Sequence, residues 1–225
     1  MTTRVRDPLL ERLCGSTKLL LYVEAAQAVL ADEQLKRERF LKEVSDDQKA
    51  EFINGEVIVH SPATWLHSQV VGAVAPLLSA YAEMHVLGNI ALEKLMISLT
   101  RNDYEPDIVF FAAAKASGFK SDQHRFPAPD LVVEVLSPST EAADRGLKLE
   151  DYAAHGIMEY WIVDAAAQRV EQYVLSEGEY KLKSRSASGE LKSRALPGLK
   201  IPVRAVFDQA ENLRALQAIL GAPRA

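Results

Sequence analysis

PDLVVEVLSPST, residues 129–140, is the stretch of sequence that decides the fold. It sets one carboxylate, Glu134, inside a run of Val and Leu that is typical of a strand. Burying a lone carboxylate is very costly, so such a group is usually paired, hydrogen-bonded or bound to a metal ion. The stretch therefore predicts a central strand whose acid has a specific partner.

A second segment, upstream of the first, repeats this pattern. Residues 105–111 read EPDIVFF, and Asp107 stands at the beginning of their apolar run. Two strands that each present an acid suggest a carboxylate cluster built on a sheet. Asp107 and Glu134 are thus the first candidates for a functional site.

The composition is that of an ordinary globular protein. A chain of 225 residues suffices for one sizeable domain, and 48% apolar and 25% charged residues are usual proportions. No apolar run reaches the roughly 18 residues of a membrane span, and the first residues lack the apolar core of a secretion signal. The single cysteine, Cys14, excludes an internal disulfide and fits a reducing cytosol, so we expect a cytoplasmic protein.

The net charge of -5 counts mildly against strong nonspecific binding to nucleic acid, because proteins that bind in that way are usually basic. It leaves room for a local basic face. Basic residues cluster over 36–42 and again over 181–194. Each cluster is interpreted first as a solvated charged face and second as a contact for nucleic acid.

Hydrophobic periodicity predicts a loose arm over residues 1–15 and one α/β domain with a mixed sheet over 16–225. The predicted helices cover 17–31, 34–44, 64–85, 139–156 and 205–220, with a kink or break in the third at Pro76. The predicted strands cover a hairpin at 52–59 that turns at Asn54-Gly55, then 90–99, 106–112, 129–136, 158–164, 170–175 and 180–183. Residues 115–126 are predicted to form a loop.

Carboxylates at corresponding ends of adjacent strands suit a hard divalent cation, because Mg2+ commonly uses one or two of them together with water. Such an ion would polarise a phosphate and lower the pKa of an attacking water. The alternatives are a turn for Asp107 and a buried ion pair for Glu134. Lys148, on the helix that follows the Glu134 strand, could reach the strand end. It could equally form a surface pair with Asp144 at i, i+4, on the same helix stripe as Tyr152.

Other polar residues are weaker candidates. His67, near the start of the long helix, could touch a phosphate or carry a proton, or could be a plain half-exposed histidine. Glu51 or Glu56, beside the hairpin turn, could add a third carboxylate or be a surface acid. Two aspartates, Asp130 and Asp164, are expected to cap turns. The sequence has no nucleophile elbow of the G-x-S-x-G type, no P-loop and no G-x-G-x-x-G motif.

The ordered set of these segments resembles the Uma2 family, a group of bacterial proteins labelled as restriction endonucleases. The matching segments, spread over about residues 50–175, are 51–56, Ser61-Pro62 with His67, 105–107, 129–140, Asp144 with Lys148 and Tyr152, and Gly156 with 159–164.

The resemblance implies a restriction-endonuclease-like fold of the PD-(D/E)XK superfamily. In that superfamily an Asp and a Glu bind Mg2+, and a Lys two residues after the Glu assists the attacking water. Carried over, these acids are Asp107 and Glu134, while the usual lysine position is the apolar Leu136. Lys148 is then the residue expected to supply the missing ammonium group.

Our leading hypothesis is a DNA endonuclease that depends on Mg2+ or Mn2+. Its catalytic residues would be Asp107, Glu134, Lys148 and His67, and its metal ligands Asp107, Glu134 and Glu51. The second hypothesis is an inactive nuclease-fold module that binds nucleic acid or a protein, and the third is a hydrolase of another phosphate ester. A homodimer is a weaker expectation, because folds that cut both strands often pair and symmetric pairs are the commonest oligomers.

Overall fold

A computed structural model describes residues 7–45 and 48–222 of the chain. Its helices are α1 (Pro8–Cys14), α2 (Leu19–Glu43), α3 (Trp65–Met84), α4 (Ala113–Ala116), α5 (Glu141–Arg145), α6 (Leu147–Ala154) and α7 (Gln209–Leu220). A 3-10 turn, Val203–Val206, precedes the last of them. No helix within the described residues is long and apolar enough to cross a membrane.

Over the same described ranges, thirteen strands form three sheets. They are β1 (Ala50–Ile53), β2 (Glu56–Val59), β3 (Gly88–Leu92), β4 (Met96–Ser98), β5 (Asp103–Tyr104), β6 (Ile108–Ala112), β7 (Arg125–Phe126), β8 (Leu131–Val135), β9 (Glu159–Asp164), β10 (Arg169–Ser176), β11 (Glu179–Ser186), β12 (Glu190–Lys192) and β13 (Lys200–Pro202). The strand orders are β11-β10-β9-β8-β6-β3, β2-β1-β5-β4-β7 and β12-β13.

The six-stranded sheet is mixed, as the sequence predicts. Its strands β8 and β9 run parallel, while β6 pairs with β8 and β10 with β9 in the antiparallel sense. Parallel neighbours require a crossover connection, and α5 and α6 provide it between β8 and β9. This crossover brings the helix that carries Lys148 over the strand that carries Glu134.

Alternation along β8 decides which way Glu134 points. Successive strand residues face opposite sides of the sheet. Leu131 and Val133 lie in the apolar core that also contains α3 and α7. Val132 lies in a second core with Tyr152 of α6. Glu134 shares the side of Val132, so its carboxylate emerges beneath α6.

The five-stranded sheet carries the predicted hairpin. Strands β1 and β2 pair in register from Ala50 with Val59 to Ile53 with Glu56. Both turn residues have positive φ, 50° at Asn54 and 86° at Gly55, which confirms the predicted Asn-Gly turn.

Helix α2 is anchored to the rest of the protein along its second half and exposed along most of its first half. Near its C-terminal end, Arg37 makes a two-pronged ion pair with Asp103, and Glu33 accepts two hydrogen bonds from Arg101. Residues 20–32, in contrast, are exposed throughout. The two short helices predicted here are therefore one continuous helix, whose second half is held by these ion pairs and by Phe40, which is buried against Phe52.

Several predicted boundaries were wrong. Helix α3 continues through Pro76, so the break expected there as one of two alternatives does not occur, and Ala75 and Leu77 on either side are buried. The helix predicted over 139–156 breaks at Gly146, and the loop predicted over 115–126 contains part of α4 and all of β7.

Three further stretches also depart from their predicted boundaries. The strand predicted over 90–99 is divided into β3 and β4 by a turn in which Lys94 has φ 66°. The start of the helix predicted over 205–220 falls in the 3-10 turn. Of the predicted arm, Pro8–Cys14 form α1, which buries no residue, while residues 1–6 lie outside the described part.

Candidate functional site

Glu134 is held by two donors from α6. Lys148 Nζ lies 2.9 Å from Glu134 Oε1, and Tyr152 donates its hydroxyl to the same oxygen at 3.1 Å. The two donors are four residues apart on α6, so they project from one helix face. The expected reach of Lys148 to the Glu134 strand is therefore present in the structure.

Among the described residues, Lys148 is the only lysine whose ammonium group contacts three buried carboxylates. Besides Glu134, its Nζ lies 3.1 Å from Glu51 Oε1 and 3.2 Å from Asp144 Oδ1. The side chain is 3% exposed. The alternative surface pair with Asp144 thus forms, but inside the protein and within a larger cluster.

One positive charge cannot neutralise three negative ones. Burial consequently raises the pKa of the Glu134 carboxyl to about 8 and also raises the pKa of Asp144 above its usual range. Burial alone would lower the pKa of Lys148, but the charges of Glu134 and then of Glu51 raise it well above its usual range. The lysine is therefore permanently charged, and the cluster can take up a proton near neutral pH.

Glu51, from β1, remains ionised. Its Oε1 accepts a hydrogen bond from the Glu105 backbone N–H at 3.0 Å, and its Oε2 lies 3.0 Å from His60 Nε2. Burial opposes ionisation of Glu51, but the charge of Lys148 and the contact with His60 lower its pKa to about 2. The hairpin thus contributes an ionised carboxylate to the Lys148 cluster.

Asp107 links the strands β6 and β8 at the mouth of the sheet. Its Oδ2 accepts a hydrogen bond from the Val135 N–H at 2.8 Å, and its own backbone N–H points at Glu134 Oε2 over 3.4 Å. The two acids that the sequence singled out are therefore neighbours. The turn expected as the alternative for Asp107 does not describe this arrangement, because its carboxylate bonds to a different strand.

The other oxygen of Asp107 faces a second set of groups. Lys49 Nζ lies 2.8 Å from Asp107 Oδ1, and His67 Nε2 lies 3.4 Å from the same oxygen. His67 Nε2 is also 3.4 Å from Glu93 Oε1. These contacts, first with Asp107 and then with Glu93, raise the pKa of His67 to about 9. Burial opposes ionisation of Asp107, but His67 and then Lys49 hold its pKa well below the usual range.

The helix start fixes His67 in this position. Thr64 caps α3, and its side chain accepts a hydrogen bond from the His67 N–H at 3.2 Å. The imidazole is thereby held at the first turn of α3, above Asp107. Because it contacts two carboxylates and is 12% exposed, His67 is not the plain half-exposed histidine of the alternative interpretation, while a phosphate contact or a proton-carrier role stays a prediction.

A cleft of about 630 Å3 opens onto both sets of groups. Its lining includes Lys49, His67, Glu93, Asp107, Glu134 and Lys148. The loop after β8, with Ser137 and Thr140, forms part of its wall. The cleft therefore gives a ligand access to carboxylates, ammonium groups and an imidazole at once.

Three of these residues fit a divalent cation. His67, Glu93 and Asp107 each offer one ligand atom, and these atoms all lie within 4.8 Å of one another. Carboxylate oxygens and imidazole nitrogen are common ligands of divalent metals. These three residues could therefore hold a divalent ion once His67 has released the proton that its raised pKa favours.

Not every sequence candidate lies in the cleft. Glu56 is exposed on β2. Asp130 accepts the Ala112 N–H at 2.8 Å and pairs with a surface lysine, and Asp164 accepts the Ala167 N–H in a turn at 2.9 Å. Asp164 therefore caps a turn as predicted, whereas the prediction for Asp130 was wrong, because its carboxylate joins the start of β8 to the end of β6.

The sequence reasoning missed three residues of the cleft and its surroundings: Lys49, His60 and Glu93. Lys49 stands two residues before Glu51, and strand alternation places such residues on one face, so this spacing could have identified it. His60 follows β2 at the edge of the hairpin. Glu93 follows β3 in the turn toward β4, and no local pattern marks it.

Comparison with known proteins agrees with this architecture. The sequence model of the Uma2 family, described as "putative restriction endonuclease", matches residues 33–204. Two uncharacterized proteins of Synechocystis sp. are similar in sequence. Slr1290 is 28% identical over 179 residues, covering 77% of this chain and 92% of its own. Sll1609 is 26% identical over 158 residues, covering 68% and 85%.

One solved structure has the same fold. It is described as a putative nuclease belonging to DUF820 from Anabaena variabilis. It superposes with a TM-score of 0.67 over 78% of this chain and 97% of its own, at 18% sequence identity. At this identity the likeness concerns the fold, which is the restriction-endonuclease-like mixed α/β architecture predicted from sequence.

Proposed function

Because this chain belongs to the Uma2 family of restriction-endonuclease-like proteins, we propose that it hydrolyses phosphodiester bonds of DNA with the help of a divalent metal ion. The observation that carries this proposal is the contact of Lys148 Nζ with Glu134 Oε1 at 2.9 Å, next to Asp107. The superfamily pattern has a lysine two residues after the Glu, and Leu136 occupies that position in this chain. From α6, Lys148 would supply that ammonium group from a different position.

Asp107, His67 and Glu93 are the residues that would hold the ion. When bound there, a divalent ion polarises a phosphoryl oxygen and lowers the pKa of a coordinated water. Asp107 is suited to this role because its low pKa keeps it ionised at every physiological pH. The contact with Val135 N–H fixes its orientation at the strand end.

Glu134 would transfer a proton, and Lys148 would contribute positive charge beside it. Near neutral pH, a carboxyl with a pKa of about 8 can both accept and return a proton, so Glu134 suits the deprotonation of an attacking water. The Lys148 ammonium would hold Glu134 Oε1 in position and offset part of the negative charge that its three carboxylate neighbours place beside a pentacoordinate transition state. Both side chains would therefore act from the positions that they occupy in this structure.

Attraction for DNA would come from groups in the cleft rather than from the charge of the protein surface as a whole. The net charge of -5 provides no general attraction for a polyanion. Within the cleft, the partly exposed Lys49 could contact a phosphate, whereas Lys148 is buried against three carboxylates. Binding would therefore depend on local phosphate contacts at the site.

An inactive module that binds nucleic acid or protein is the second candidate. The observation that favours it is Leu136, an apolar side chain at the usual lysine position, which packs against the core containing Val132. The two candidates differ in one measurable property, the breaking of a phosphodiester bond.

Nicking of supercoiled plasmid by purified protein, with Mg2+ or Mn2+, tests the proposal. Conversion to open circles by the wild type, its loss in Glu134→Gln and its retention in the surface control Glu179→Gln are expected. Nicking that persists in Glu134→Gln would indicate a contaminating nuclease. Absence of nicking on supercoiled, linear and single-stranded DNA, together with metal binding, would instead favour the inactive module.

A further inference from the structure

We infer that His67, Glu93 and Asp107 form the cation site of the cleft, and that this site binds Mn2+ more tightly than Mg2+. The inference rests on the proposed function and deepens it by naming the ligands and the class of ion. It departs from the sequence expectation, in which Asp107 would share the ion with Glu134 and Glu51. The position of the ion depends on which carboxylate oxygens remain available.

The three ligand atoms converge from separate elements. His67 lies in the first turn of α3, Glu93 in the turn after β3, and Asp107 immediately before β6. Their ligand atoms lie within 4.8 Å of one another. Since metal–oxygen bonds of about 2.1 Å span such a gap with little movement, one ion can contact all three. Glu93 is 38% exposed, so its carboxylate can adjust to the ion.

Glu134 is not available in the same way. Its Oε1 already accepts from Lys148 at 2.9 Å and from Tyr152 at 3.1 Å. An ion on that oxygen would lie beside the Lys148 ammonium, and two positive charges at such a distance repel strongly in a buried site. Its Oε2 lies toward the Asp107 backbone N–H at 3.4 Å.

Lys148 cannot move out of the way. Its side chain is 3% exposed, and Glu51 and Asp144 hold the same nitrogen at 3.1 Å and 3.2 Å. Removing a buried ammonium from three carboxylates would leave those charges uncompensated. Glu134 and Glu51 are therefore occupied by their contacts with Lys148. The ligands that remain for an ion are Asp107, His67 and Glu93.

The imidazole determines the class of ion. Mg2+ takes oxygen ligands in octahedral geometry and keeps several waters. Nitrogen ligands suit first-row transition ions, and imidazole is a common donor to them. A site with one imidazole and two carboxylates therefore favours Mn2+ over Mg2+, and ions later in the transition series should bind more tightly still.

Lys49 competes with the ion. Its Nζ lies 2.8 Å from Asp107 Oδ1, the same oxygen that faces His67. The lysine side chain is 22% exposed, so it can turn toward solvent when an ion arrives. Because binding must displace this ammonium, its removal should strengthen binding. A residue that only supported the fold would give the opposite result or none.

Calorimetric titration of the full chain with Mn2+ and with Mg2+ tests the inference, and the Mn2+ resonance spectrum gives an independent readout. The wild type should bind one Mn2+ at least about tenfold more tightly than Mg2+. Glu93→Gln should weaken Mn2+ binding by about tenfold or more, and Lys49→Met should strengthen it. His67→Gln should reduce the preference for Mn2+, whereas Glu134→Gln and Glu179→Gln should change affinity by less than about threefold.

The opposite pattern would overturn the inference. If Glu134→Gln abolished Mn2+ binding while Glu93→Gln did not, the ion would bridge Asp107 and Glu134. Plasmid nicking would then still be expected, so the proposed hydrolysis would survive that result, but the assignment of His67 and Glu93 as metal ligands would not. A wild type that binds neither ion also contradicts the inference, and the nicking assay decides separately whether hydrolysis occurs. Thermal unfolding of every variant identifies any that fail to fold.

Discussion

The two acids at the centre of this fold are neighbours with opposite surroundings. Asp107 contacts Lys49 and His67, whose side chains retain some exposure, and its carboxyl has a lowered pKa. Glu134 contacts Lys148, which is buried, and burial raises the pKa of Glu134 to about 8. Adjacent carboxyls with such different pKa values are suited to different tasks.

The difference shows that two acids that lie close together in a sheet need not have the same function. A carboxylate whose partners can move is able to exchange them for a metal ion. A carboxylate tied to an immobile ammonium group is better suited to hold or transfer a proton. The following variants test the division between the Asp107 side and the Glu134 side of the cleft.

The largest effect is expected from Lys148→Met. Loss of the ammonium leaves Glu134, Glu51 and Asp144 buried without their shared partner, so the free energy of unfolding should fall by about 3–5 kcal/mol at pH 7. Urea unfolding of Lys148→Met and of the surface control Lys181→Met measures this loss. A decrease below about 1 kcal/mol would show that the three carboxylates are neutral or solvated without the lysine.

Asp107→Asn should act on chemistry more than on stability. The amide keeps the size of the side chain but removes the charge, so plasmid nicking should slow by roughly 100-fold or more. Asp122→Asn, in the exposed loop before β7, is the matched control. Nicking at the wild-type rate in Asp107→Asn would remove Asp107 from the proposed site.

The Asp107 side should also depend on pH. Contacts with Asp107 and Glu93 raise the pKa of His67 from 6.5 to about 9, so they favour the protonated, folded form. In metal-free buffer their contribution should be fully present below pH 6.5 and be lost as the pH rises through about 9. The unfolding free energies of wild type and His67→Gln should therefore differ by on the order of 1 kcal/mol more at pH 6 than at pH 10. An equal difference at both values would mean that His67 is neutral in the fold.

The smallest effect is expected from Leu136→Lys. Because Lys148 already contacts Glu134 Oε1, a second lysine should change nicking by less than about threefold. In a Lys148→Met background, however, Leu136→Lys should recover part of the lost nicking. Failure of this rescue, in protein that remains folded, would show that only the α6 position can serve Glu134.

The sequence predicted the features that depend on local chemistry. The apolar run in residues 129–140 predicted the central strand with its acid, and Asn54-Gly55 predicted the hairpin. The spacing of Lys148 and Tyr152 predicted their shared helix face. Each prediction rests on residues close in the chain, where period and turn geometry determine the outcome.

The parts that it did not predict depend on distant contacts. Helix α2 continues past residue 31 because Glu33 and Arg37 pair with residues more than sixty positions away. Glu93 joins the cleft because the turn between β3 and β4 lies beside α3, which no local pattern specifies. The number of acids around Lys148 likewise depends on how two sheets and one helix meet.

The division between the two acids is tested most directly by anomalous diffraction from crystals soaked in Mn2+. A single Mn2+ peak about 2.2 Å from His67 Nε2, with oxygens of Glu93 and Asp107 beside it, is predicted. In the same crystal Lys148 Nζ should remain against Glu134 Oε1. A peak shared by Asp107 and Glu134, with Lys148 displaced, would contradict the account.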